Sequence, residues 1–283
     1  INYKKDIDTL HFSTKNGVVL QVTVVRDSVI RFRYSTTGKF ENDFSYGVTI
    51  HASRGYSFLD ITEDEIHYSI TTSKLICKVE KQSLQVRLFD AIDNKLINED
   101  EIGFHWEESY ENGGNIVKMS KIAHSGESYY GLGDKADHLN LKGKRFENWV
   151  TDSYAYNKGT DPIYKAIPFF TGLLHSKSYG IFFDNTFRSN FDFAHERKNV
   201  TSFWAQGGEM NYYFIYGPQM NDVVANYTDL TGKPHQLPPL WALGYHQCKW
   251  SYYPESNVKA IAAKFRKLKI PCDAIYLDID YME

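Results

Sequence analysis

The chain has 283 residues, 42% hydrophobic and 24% charged, with 21 Tyr, 18 Phe and a formal net charge of −3. That length buries a substantial core and suits more than one domain. The charge gives no electrostatic footing for nucleic acid, and no apolar run approaches the ~20 residues of a membrane-spanning helix.

Residues 18–25 and 29–34 read as two strands joined by a short turn at Arg26, Asp27 and Ser28. In the second, Ile30, Phe32 and Tyr34 alternate with Arg31 and Arg33, which predicts one apolar and one charged face. The same pattern recurs over 66–71, 74–80 and 84–89, and later strands are expected over 166–174, 179–184 and 210–216. Many short strands with polar turns predict a mostly β chain whose residues 1–235 form an antiparallel β-sandwich. Most of the aromatic content belongs to half-buried sheet surfaces. Residues 131–162 read as one long loop, with Trp149, Tyr154 and Tyr156 among Asp152 and Asp161. Long aperiodic loops in compact proteins are commonly functional, and the aromatics beside carboxylates point this one toward substrate. The basic cluster of Lys142, Lys144 and Arg145 reads as part of that solvated loop.

After Gly217 the periodicity changes. Met220, Val223, Val224, Tyr227 and Leu230 recur at helical spacing, and Gly232 and Pro234 stop the helix. Pro238 and Pro239 mark a connector, and a strand is expected over 240–247. A helix starting at Pro254 carries Val258, Ile261, Ala262, Phe265 and Leu268 on one face. Residues 274–277 form an unbroken apolar run, as in a strand covered on both faces. Residues 236–283 thus read as the first βαβ unit of a (β/α)₈ TIM barrel that is otherwise absent.

Barrel enzymes carry polar functional residues where strands end. Asp278 and Asp280 occupy such a place, and at i and i+2 they share a side if the chain stays extended. They read either as substrate ligands or as a loop cap and an ion-pair partner. Coming from one strand, they approach a sugar from one side, whereas glycoside hydrolysis uses carboxyls on both sides of the bond. Trp250, on the same rim, reads as a wall against a sugar ring or as packing at the barrel mouth. His246 and Cys248 lack a second ligand pair for a metal. Gly131-Leu132-Gly133 lacks the third glycine and following helix of a phosphate loop. Cys77, Cys248 and Cys272 cannot all pair and are expected as buried free thiols. The chain opens at Ile1 rather than Met, so its compartment stays open between cytoplasm and bacterial periplasm, with a soluble protein expected.

Taken together, the block YYGLGD at 129–134, WVTD at 149–152, PPLWALGYHQCKWSY at 238–252 and YLDIDYM at 276–282 resemble family 31 glycoside hydrolases, in their α-glucosidase branch. The resemblance is strong from about residue 125 onward and rests on the sandwich pattern before it. It implies a retaining α-glucosidase that removes terminal non-reducing α-linked glucose from oligosaccharides without a metal or organic cofactor. By position, Asp278 matches the aspartate that hydrogen-bonds the terminal glucose, and Trp250 matches the tryptophan lining that subsite. Asp152 matches an aspartate on a loop that reaches the next sugar, and Asp280 lies beside the site. The family's nucleophile and acid/base are aspartates in blocks after later barrel strands. Neither block occurs here, so the resemblance implies no catalytic residue within 1–283, an inactive isolated chain, and the remainder of the barrel as its partner. A homo-oligomer is compatible with this reading. A non-catalytic carbohydrate-binding sandwich is the alternative, and a sandwich-type sugar epimerase a weaker third.

Overall fold

In the computed structural model, described for residues 2–5, 9–49, 60–109 and 114–281, the chain separates into two compact units, Ile1–Gly232 and Lys233–Glu283. Only the backbone is described for residues 2–5 and for Asp280.

In the first unit the strands follow in chain order as β1 (Asn2–Lys5), β2 (Thr9–Ser13), β3 (Val19–Arg26) and β4 (Val29–Ser35). Then come β5 (Asp60–Glu63), β6 (His67–Thr71), β7 (Leu75–Glu80), β8 (Val86–Asp90), β9 (Leu96–Ser109) and β10 (Gly114–Ile122). The series continues with β11 (Ser128–Gly133), β12 (Lys144–Asn148), β13 (Ala166–Leu174) and β14 (Lys177–Phe183). It closes with β15 (Ser189–Phe193), β16 (Val200–Ala205) and β17 (Met210–Gly217), before helix α1 (Met220–Thr231). One sheet has the order β1-β2-β3-β4-β17-β14-β13-β11, and the other β12-β15-β16-β10-β9-β8-β7-β6-β5. Every pairing within these two sheets is antiparallel.

Alternation makes this a sandwich. Phe12, Val22, Phe32 and Tyr212 from the first sheet share one core with Ile70, Leu88, Met119 and Phe203 from the second. Such facing apolar layers are what hold two sheets together. The Phe203 and Tyr212 rings meet edge to face across the layer, 5.5 Å between centroids. A second, smaller core lies where α1 covers the outer face of the first sheet, through Val223 and Leu230 against Val29, Phe182 and Ile215. There Tyr227 stacks on Phe169 at 3.9 Å.

Two polar groups inside the sandwich are fully paired. Lys121 Nζ lies 2.6 Å from Asp100 Oδ1, both side chains almost completely buried, and Asp100 Oδ2 accepts the Val86 amide at 2.9 Å. At one end, Asp90 accepts hydrogen bonds from Lys177 and from the Tyr216 hydroxyl, tying the second sheet to the first.

The charged face of β4 is covered within the sandwich unit. Arg31 and Arg33 are buried beneath residues 39–47, where Asp43 takes both ends of the Arg31 fork at 2.8 and 2.9 Å and Glu209 takes Arg33. Residues 131–162 are not one loop, because β12 pairs with β15 as an edge strand inside that stretch. Lys144 and Arg145 of the basic cluster are exposed as expected but stand on β12, where Lys144 pairs with Asp137 and Arg145 with Glu196, while Lys142 donates to the His124 carbonyl. Of the three thiols only Cys77 is buried; Cys272 is half-buried and Cys248 exposed.

In the second unit, Leu240–Leu243 form a 3-10 turn, and the strand expected over 240–247 shrinks to β18 (His246–Cys248). Helix α2 (Glu255–Lys267) follows, then β19 (Ala274–Tyr276), parallel to β18. Val258, Ile261 and Phe265 do share a face of α2, but they are only half-buried. Nor is β19 covered on both faces; Tyr276 and Leu277 are exposed.

Candidate functional site

The parallel register pairs Cys248 with Tyr276 at the carboxyl ends of β18 and β19. Trp250 and Asp278 each follow by two residues, so one sheet edge carries both. Trp250 is 69% exposed among the described residues. Asp278, Cys248, Tyr276 and Leu277 line a shallow pocket of about 530 Å³.

The backbone overturns one premise. Asp278 has a left-handed φ of +66°, a conformation Asp tolerates better than most residues, and Ile279–Tyr281 then form a 3-10 turn. The chain is therefore not extended from Asp278 to Asp280, and the shared-side argument for that pair falls. The Asp280 side chain lies outside the described residues. Asp278 Oδ1 accepts the Ile279 amide at 2.7 Å, capping the turn. Among the described residues Oδ2 has no partner, so one carboxylate oxygen is left for a ligand hydroxyl. The cap and the ligand role are therefore compatible.

His246 is occupied: Nε2 lies 3.0 Å from the Trp241 carbonyl and Nδ1 3.3 Å from the Tyr276 hydroxyl. Among the described residues no group of three His, Cys, Asp or Glu is disposed to hold a metal.

In the first unit, residues 149–165 leave the end of β12 and return to β13. Asp161 fixes the root of this excursion: Oδ1 pairs with Lys135 Nζ at 2.8 Å and Oδ2 accepts the Glu147 amide at 2.5 Å. Lys135 Nζ also donates to the Glu147 carbonyl at 2.6 Å. Higher up, the Thr151 amide donates to the Ile163 carbonyl, and Ser153 Oγ to the Pro162 carbonyl. Asp152 is thereby held exposed on a braced loop. Partial desolvation, and then the adjacent Asp152 carboxylate, push the Tyr164 phenol above its ordinary pKa. Trp149, Tyr154, Tyr156 and Tyr164 are all exposed around it. The bracing of this loop by Lys135 at Asp161, and the place of Tyr164 beside Asp152, gave no sequence signal, since neither stands in a recognisable motif.

The glycine block has a backbone cause. The β11–β13 register shifts between Gly131 and Gly133, and a Cβ on Gly131 would sit 2.6 Å from the Phe169 carbonyl oxygen. Only glycine fits that bulge.

Comparison with known proteins adds a lineage. The family model "Glycosyl hydrolase 31 N-terminal galactose mutarotase-like domain" matches residues 19–192, and "Glycosyl hydrolases family 31 TIM-barrel domain" matches residues 235–283. The chain is 35% identical over 272 residues to alpha-glucosidase 2 of Bacillus thermoamyloliquefaciens, covering 96% of this chain and 33% of that protein. It is 36% identical over 170 residues to an alpha-glucosidase of Saccharolobus solfataricus, covering 60% of this chain and 24% of that protein. Among solved structures, a dextranase of Flavobacterium johnsoniae complexed with isomaltotriose superposes with a TM-score of 0.86 at 35% identity, over all of this chain and 34% of that one. The chain thus spans between about a quarter and a third of the length of these relatives.

Proposed function

The chain belongs to glycoside hydrolase family 31, and from that premise we propose that it forms the sandwich and the barrel opening of a retaining α-glucosidase. In this reading the enzyme releases terminal non-reducing α-linked glucose from oligosaccharides. Asp278 accepts hydrogen bonds from hydroxyls of the terminal glucose through its free oxygen, and Trp250 presents an indole face to the same ring. Asp152 contacts the next sugar, and Asp280 supports the edge. A carboxylate suits hydroxyl recognition because each charge-assisted bond contributes on the order of 1.5–3 kcal/mol.

Bond cleavage with retention needs two carboxyls about 5–5.5 Å apart, one attacking and one acting as acid and then base. Asp278 and Asp280 both follow the single strand β19. The nucleophile and acid/base therefore come from other barrel elements, and residues 1–283 alone hydrolyse nothing. The exposed apolar side chains of the second unit, Leu240, Leu243 and Ile279 among them, support this, since further barrel elements are what would cover them.

The parallel register that sets Trp250 and Asp278 on one edge is the observation that carries the reading. It is tested by titrating glucose and maltose against protein carrying the complete barrel and its Asp278→Ala form. The reading predicts a clear loss of affinity with fold intact; unchanged affinity contradicts it.

A further inference from the structure

Two hollows unrelated to Trp250 and Asp278 are lined by residues of the sandwich unit. The segment after β14 and the strap at 44–47 bound these adjoining hollows of about 630 and 740 Å³, volumes in the range of small-molecule sites. Tyr46, Asp184, Asn185 and Phe187 line both and form the ridge between them. Tyr46, edge to face with Phe44 at 4.9 Å, is 85% exposed and Phe187 is 52% exposed, so each ring keeps a face open to solvent.

The ridge is rigidly built. Asn185 Nδ2 donates to the Gly207 and Glu209 carbonyls at 2.9 and 3.0 Å, and its Oδ1 accepts the Phe187 amide at 2.8 Å. The Phe187 ring lies over Gly207 and Gly208, where a Cβ on either glycine would come within 2.7–3.1 Å of a neighbouring atom. Asp184 is held by Ser45 Oγ at 2.8 Å and Asn211 Nδ2 at 3.2 Å. On the wall of the smaller hollow stands Asn148, 5% exposed, whose amide nitrogen and oxygen both lack a hydrogen-bond partner among the described residues. Leaving a buried amide unpaired is costly, and native structures rarely do so without a reason.

Apolar ring faces beside a fixed carboxylate and amides match one ligand chemistry well. A neutral hexose unit offers C–H faces to aromatic rings and vicinal hydroxyls to carboxylates and amides. A phosphate or nucleotide would meet Asp184 and Glu209 instead of free cations, because Arg31 and Arg33 are already taken by Asp43 and Glu209. We infer that the ridge of Tyr46 and Phe187, with Asp184 and Asn148 beside it, is a non-catalytic oligosaccharide-binding site built from residues of the sandwich unit, without Trp250 or Asp278. It would hold a glucose-based chain to the sandwich independently of hydrolysis.

The test uses the 283-residue chain with maltotriose and with isomaltotriose, followed by saturation-transfer NMR and calorimetric titration. The inference predicts binding that survives the Trp250→Ala/Asp278→Ala double variant within about twofold. It predicts a loss of about tenfold or more in Tyr46→Ala and in Phe187→Ala. Tyr46 is so exposed that its removal leaves the fold in place, which a thermal melt checks. Absence of binding at ~10 mM sugar overturns the inference. So does binding abolished by the double variant but untouched by Tyr46→Ala, which would assign the sugar to the barrel edge alone and leave the proposed function standing.

Discussion

Trp250 and Asp278 stand at equal distance beyond a paired residue couple, Cys248 and Tyr276, on the carboxyl edge of two parallel strands. Parallel neighbours share that edge, so an indole and a carboxylate 28 positions apart in sequence reach one rim. In protein with the complete barrel, Asp278→Ala should lower kcat/KM for maltose about 10²-fold, the equivalent of one or two lost charge-assisted bonds. Trp250→Ala should cost about tenfold. Steady-state kinetics, with circular dichroism as the folding control, checks both; wild-type values in either variant contradict the assignment.

In the proposed function Asp152 contacts the sugar next to the terminal one. Asp152→Ala should therefore depress kcat/KM for maltotriose by about tenfold while changing 4-nitrophenyl α-glucoside, which lacks that sugar, by less than about twofold. Lys135→Ala, which releases the root of the loop at Asp161, should shift the same ratio in the same direction. Equal losses on both substrates would remove Asp152 from that role.

The Lys121–Asp100 pair is enclosed between the sheets at 2.6 Å. Removing one partner leaves a buried charge without compensation. Lys121→Ala should destabilise the sandwich by about 3–5 kcal/mol, read as a fall in the urea midpoint. Restoring neutrality with Lys121→Met/Asp100→Leu should recover much of it. A single variant as stable as the parent would show that the pair is not buried in solution.

Desolvation works against the Asp90 carboxylate, but hydrogen bonds from Lys177 and Tyr216 outweigh it and hold its pKa down to about 2. In the unfolded chain an aspartate titrates near ~3.9. The folded value is the lower one, so this stabilisation is complete above pH ~4 and is lost as pH falls toward 2. After allowance for solvent screening it is worth on the order of 1–2 kcal/mol. Asp90→Asn should flatten that part of the stability–pH curve; an unaltered slope would argue against the interaction.

Much of the sandwich was legible because its strands are apolar in pattern: β4, β6 and β7 alternate at period two, and β13 and β17 are near-continuous apolar runs. Other features were hidden for physical reasons. The burial of Arg31 and Arg33 was not legible, because alternation reports polarity and the strap bearing Asp43 that covers them lies outside β4. β12 was hidden because KRFEN is an edge strand with one apolar residue, Phe146, facing the core. Residues 240–243 are apolar enough for a strand but follow two prolines and close a 3-10 turn. At the site, the rim shared by Trp250 and Asp278 followed from strand order alone. The separation of Asp278 from Asp280 did not, because it depends on one left-handed φ that composition does not encode. Asn148 gave no signal at all, since an orphaned amide is visible only when its neighbours are known.

The claim that this chain grips the sugar while other barrel elements break the bond is tested most directly by trapping the glycosyl-enzyme. A 5-fluoro-α-glucosyl fluoride, reacted with protein carrying the complete barrel, labels the attacking carboxylate, and peptide mass spectrometry locates it. The account predicts a covalent adduct of one hexose on an aspartate outside residues 1–283, forming faster in the parent than in Asp278→Ala. An adduct on Asp278, Asp280 or Asp152, or hydrolysis that inverts the anomeric centre without any adduct, would contradict it.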